Sequence, residues 1–184
     1  MITQLKEYRN LINQRLDENW KSFKVLFDIN HFGNCISIMC QELDQFIIVL
    51  FLIKQKRYLR DHFMKLSIEN QKWYIVNKDN KKEYVTEDLL LGFIKTLTGW
   101  EKSIYEFGFI FKHLTNNANY ALKDPIQSLG DDERQVIYNY IKEYHKIDFP
   151  NGYTMLELIP ILPMIFEKIS DNLKNYLLQS SVQI

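Results

Sequence analysis

Phe46-Ile47-Ile48-Val49-Leu50-Phe51-Leu52-Ile53 is an unbroken apolar run. Eight residues of helix span only about 12 Å, against a hydrocarbon core of roughly 30 Å. Glu42 and Asp44 lie just upstream and Lys54 follows directly. The run therefore reads as a buried core segment and not as a membrane anchor, and the rest of the chain must cover it. A length of 184 residues suits one domain, and an apolar share of 46% supplies enough side chains for a sizeable core. Only six glycines and four prolines interrupt the chain, which favours long helices over many short strands.

The hydrophobic spacing places those helices. Leu5, Tyr8, Ile12, Leu16, Trp20, Phe23 and Phe27 recur every three or four residues and predict one helix from about Ile2 to Phe27. A second helix is expected from near Asn30 to about Lys65. Its middle is apolar nearly all round, and its last third, Lys54 to His62, turns polar and basic and reaches solvent. Over residues 72–86, Trp73-Tyr74-Ile75-Val76 and Tyr84-Val85-Thr86 flank Asn77 to Lys82, the pattern of a small β-hairpin. Thr86 with Glu87 and Asp88 opens a third helix. Thr98-Gly99-Trp100-Glu101 reads as a capping box for a fourth, running to about Leu114. Asp131 caps a fifth, with Val136, Ile137, Tyr140, Ile141 and Tyr144 facing inward. Thr154-Met155-Leu156-Glu157 starts a last helix, kinked or restarted at Pro160 and Pro163. The expected fold is mainly α: a single domain, residues 1–184, of five or six bundled helices with a hairpin insertion.

Formal net charge is zero, which argues against a generic nucleic-acid binder. The distribution is uneven, however. Lys54 to Lys82 holds nine Lys/Arg against Asp61, Glu69 and Asp79, so this segment carries +6 and the remainder −6. Such a segment either meets phosphate or is simply solvated loop and hairpin charge. Cys35 and Cys40, five apart on one helix, point to different faces and do not suit a disulfide. With no secretory pattern in the first residues, a cytoplasmic location is expected.

Arg57 and His62 form Arg-x4-His at the basic end of the second helix. Histidine titrates near neutrality, and guanidinium matches a pair of phosphate oxygens. The spacing resembles the Arg-x(4–6)-His motif of HEPN-type ribonucleases, which are compact helical bundles. The resemblance implies that His62 handles protons during attack of a 2′-hydroxyl on its own phosphodiester. It also implies that Arg57 stabilises phosphate charge and that two protomers bring their motifs together. Tyr58 departs from the small polar residue the family often has there. Five helical residues also rotate by roughly 140°, so the pair does not share one strict face.

His113-Leu114-Thr115-Asn116-Asn117-Ala118-Asn119-Tyr120 resembles a His-Leu-Ser-x-x-His-Asp-Tyr stretch of uncharacterised bacterial proteins with HEPN-like architecture. Gln41-Glu42-Leu43-Asp44, Gly99-Trp100-Glu101 and Tyr105-Glu106-Phe107-Gly108 extend that likeness over about two-thirds of the chain. Ala118 and Asn119 stand where the histidine and acid would be, and the asparagines equally suit the end of a helix. His31 and Cys35 sit at i and i+4 but lack companions for a zinc site. His145 suits a helix C-terminus through the dipole. The aromatic residues fall mostly on the apolar stripes and read as core. Glycine-rich phosphate loops, Gly-x-Ser-x-Gly and His-Glu-x-x-His are missing from the sequence, and no cofactor or metal is expected.

Two functions follow as expectations. The first is a HEPN-like protein of a bacterial conflict system such as toxin–antitoxin: a metal-independent RNase, or a degenerate RNA-facing relative. Arg57, His62 and His113 would then be catalytic, Lys54, Lys56 and Arg60 would guide RNA phosphate, and a homodimer is expected. The second is a non-catalytic helical module that dimerises or binds a protein partner.

Overall fold

A computed structural model describes residues 2–114 and 124–179. The long amphipathic stripe forms α1 (Ile2–Asp28), and the apolar run lies in α2 (Phe32–Ile53). A short α3 (Arg57–Ile68) leads into β1 (Tyr74–Val76) and β2 (Lys82–Tyr84). Then come α4 (Glu87–Ile94), α5 (Gly99–Leu114), a 3-10 turn at Pro125–Ser128 and α6 (Asp131–His145). A single turn α7 (Met155–Leu158), a 3-10 turn at Ile159–Ile161 and α8 (Leu162–Gln179) close the chain. The protein is a mainly α bundle with one small β insertion.

α2 is the central element. It packs on α8, α5, α1, α3 and α4, and Ile36, Met39, Phe46, Val49 and Leu50 along it have no measurable exposure. By length and composition α2 would suffice to cross a membrane; its apolar side chains are instead mostly covered by its neighbours. The α2–α5 contact is close. A Cβ added at Gly108 would lie 2.3 Å from Leu43 Cδ1, so a side chain there would force Leu43 to shift.

The hairpin is antiparallel, pairing Tyr74 with Tyr84, Ile75 with Glu83 and Val76 with Lys82. Asn77 Oδ1 accepts from the amides of Asp79 and Lys81 and closes the turn. Thr86 Oγ1 accepts from Leu89 N at the start of α4. Thr154 and Glu157 exchange the two bonds of a capping box. The restart at Pro160 and Pro163 is present as the 3-10 turn before α8.

Three local expectations change. The second helix is not one rod: α2 stops at Ile53, and Lys56 has ψ 146°, which redirects the chain. A straight continuation would carry Phe63, Met64 and Leu66 into water. Turning back buries all three against the bundle, which outweighs the helical hydrogen bonds lost at Lys54–Lys56. This break, with the turn α7, raises the helix count above five or six. Glu101 does not return to Thr98; its carboxylate accepts from Lys54 Nζ at 3.0 Å and from the Tyr176 hydroxyl at 2.7 Å. At α6, the residue preceding the helix is Gly130, whose amide donates to Glu133 Oε2 at 2.9 Å, and Asp131 is the first helical residue.

Candidate functional site

The basic residues singled out from the sequence surround the α2–α3 break. Lys54 ends α2, pairs with Glu101, and lies 5.4 Å from the centre of the Phe93 ring. Lys56 and Arg57 are exposed at the start of α3. Arg60, one turn on, is only 9% exposed and faces the bundle rather than solvent. His62 is half-buried. Its ring stands edge-on to Tyr74 at 5.2 Å, and Nε2 meets the Tyr74 carbonyl at 2.9 Å. A carbonyl only accepts, so Nε2 is the donor of this bond. The hairpin thus holds His62, and five helical residues separate its position from that of Arg57 by a rotation of roughly 140°. Among the described residues, neither side chain lines the three grooves set out below.

His113 is exposed near the end of α5, edge-on to Phe109 at 5.2 Å. The rest of its stretch, Thr115 to Tyr120, lies outside the described residues. Both cysteines are free and buried, and burial pushes their thiols up, to about 11 for Cys35 and about 12 for Cys40. Among the described residues no three His, Cys, Asp or Glu side chains gather as metal ligands. His145 does not serve α6 as a cation: burial, and then Lys168, push its pKa down to about 4.

A groove of about 790 Å³ lies between the start of α6 and residues 149–157. Several of its polar groups bond to one another. The Tyr153 hydroxyl donates to the Arg134 carbonyl at 2.6 Å, Arg134 pairs with Asp131, and Glu157 is held by Thr154.

The anomaly lies in α4. Its sequence, Glu87-Asp88-Leu89-Leu90-Leu91-Gly92-Phe93-Ile94, is as apolar as a core helix, yet among the described residues none of it is buried. Leu89 is 50% and Leu91 48% exposed. α4 lies as a ridge on α2 with a groove along each flank. The groove towards α5, about 580 Å³, has Ile47 and Ile48 beneath it and Leu91, Ile94 and Phe109 at its sides. Phe109 is 56% exposed. The groove towards α1, about 670 Å³, runs past Tyr8, Arg15, Trp73 and Tyr84. Ile48 and Leu90 border both grooves, so ridge and flanks are contiguous; Arg15, Gln45, Asn70, Gln71 and Lys72 line the groove towards α1 as well, and the Asp44–Lys112 pair borders the other. Contiguous exposed apolar patches commonly mark sites of interaction. The sequence carried a sign of it: five apolar side chains and a glycine in eight residues are more than one buried stripe requires.

The class defined by this structure is a mainly α bundle carrying a hairpin and one uncovered apolar ridge. Comparison with protein-family models, curated proteins and solved structures yields no match to this chain.

Proposed function

We propose that this chain is a non-catalytic helical module that pairs with a second copy of itself through the α4 face. The observation that carries the reading is a core-like helix with no buried residue. Each half-exposed leucine that becomes covered contributes about 1 kcal/mol, and a symmetric pair covers each leucine twice. In light scattering, the protein is expected to show twice the 22.2 kDa chain mass at micromolar concentration. Leu89→Asp with Leu91→Asp is expected to weaken pairing by two to three orders of magnitude, roughly the loss of four such contacts. The helical circular dichroism should not change, because neither side chain belongs to the core. A wild-type protein that stays monomeric at 100 µM (roughly the weakest pairing this ridge allows), or a double variant that pairs as before, overturns the reading.

The second reading is the HEPN-like RNase or RNA-facing relative, favoured by the exposed Lys56 and Arg57 at the head of α3. It predicts cleavage or binding of RNA that weakens as salt rises. Arg57→Ala and His62→Ala should each lower either property at least about tenfold, the usual scale for a phosphate-stabilising or proton-transferring side chain. Unchanged behaviour of both variants excludes these residues.

A further inference from the structure

The ridge also carries information about how the two copies are oriented. At 100° per residue, Asp88, Gly92 and Lys95 fall on one line along the outward side of α4, flanked by Leu91 towards α5 and Leu89 on the other side. Asp88 and Lys95 are exposed. They are about 10 Å apart along the axis, too far to pair with each other. Between them Gly92 is exposed, and a Cβ there would meet nothing within 4 Å. Packing within the chain therefore does not call for glycine, which in a helix interior costs about 1 kcal/mol relative to alanine. A second helix crossing closely at that point would.

Resting on the self-pairing reading, we infer that two copies meet across a two-fold axis with their α4 helices antiparallel and crossing at Gly92. Asp88 of each copy then faces Lys95 of the other. The match is one of register: Asp88 lies four residues before Gly92 and Lys95 three after it, so reversing one helix superimposes acid on base at both ends. Antiparallel alignment also opposes the two helix dipoles favourably. Leu91 of one copy enters the α4–α5 groove of the other, over Ile48 and beside Phe109, so each groove is completed by the partner. An eight-residue helix is too short for the roughly 1,200–2,000 Å² of a specific interface. Phe109 on one flank and Tyr84, also exposed, on the other extend the apolar face to either side.

The experiment measures the dimer dissociation constant by sedimentation for Lys95→Glu, Asp88→Lys, the double variant carrying both, and Gly92→Leu. Each single charge reversal places like charges together at both ends and is expected to weaken pairing about tenfold or more. The double variant restores it to within about threefold of wild type, since Lys then faces Glu again. This recovery separates pairing from a simple helix effect. Both native charges also suit the dipole of α4 itself, so a dipole effect alone would make the double variant the weakest. Gly92→Leu, which has open space in the single chain, is expected to weaken pairing by a similar factor without unfolding it. Single reversals that leave pairing unchanged, a double variant no better than the singles, or an indifferent Gly92→Leu each overturn this orientation. The self-pairing reading itself then still stands if Leu89→Asp with Leu91→Asp abolishes the dimer.

Discussion

Among the described residues Glu42 is the one carboxylate in the core, with no exposed surface. Arg15 Nη2 meets its Oε2 at 2.7 Å and Asn19 Nδ2 donates to Oε1. Arg15 Nη1 reaches on to Gln45 at 2.6 Å. Removing one partner of a buried pair strands the other charge, which costs more than removing both. Arg15→Ala is expected to lower stability by about 3 kcal/mol, and adding Glu42→Gln should recover part of that loss. Urea unfolding checks it, and a double variant less stable than the single refutes the argument. His145 makes the opposite case, a base kept neutral. Its Nε2 is buried without a hydrogen bond partner among the described residues, and Lys168 adds its charge nearby. The folded pKa, about 4, lies below the free value near 6.5, so the unfolded chain binds the extra proton in between. The contribution is complete above pH 6.5 and is lost as pH falls towards 4, amounting to about 2 kcal/mol by pH 5. Melting temperature of the wild type should therefore fall more steeply between pH 6.5 and 4.5 than that of His145→Gln. Parallel curves would show that His145 is not the group responsible.

At the scale of elements, features with local causes were legible. The hairpin, the Thr86 cap, the Thr154–Glu157 box and the restart before α8 each rest on a few adjacent residues whose chemistry decides the outcome. The break between α2 and α3 was not legible, because Lys54, Gln55 and Lys56 are all good helix formers and no glycine or proline marks the stop. What turns the chain is the distant gain from burying Phe63, Met64 and Leu66. Glu101 shows the same limit: its spacing from Thr98 suits a cap, but Lys54 and Tyr176, remote in sequence, take its carboxylate. α4 was recognised as a helix, but periodicity reports that a face is apolar and says nothing of whether the chain itself covers that face. Of the candidate site, the sequence therefore located the basic residues near the break but missed the ridge.

Taken as a whole molecule, nearly every long helix leans on α2, and one of its broadest contacts is with α8. These two lie far apart in the chain, with more than a hundred residues between Ile53 and Leu162. During synthesis the greasy length of α2 leaves the ribosome early, while the helix that seals it arrives on the order of ten seconds later. For that interval the side of α2 that α8 covers stays exposed, although α1, α3 and α5 are already there to cover the rest. The placing of α2 at the centre, packed by helices that come both before and after it in the chain, thus leaves part of its apolar surface bare until α8 emerges.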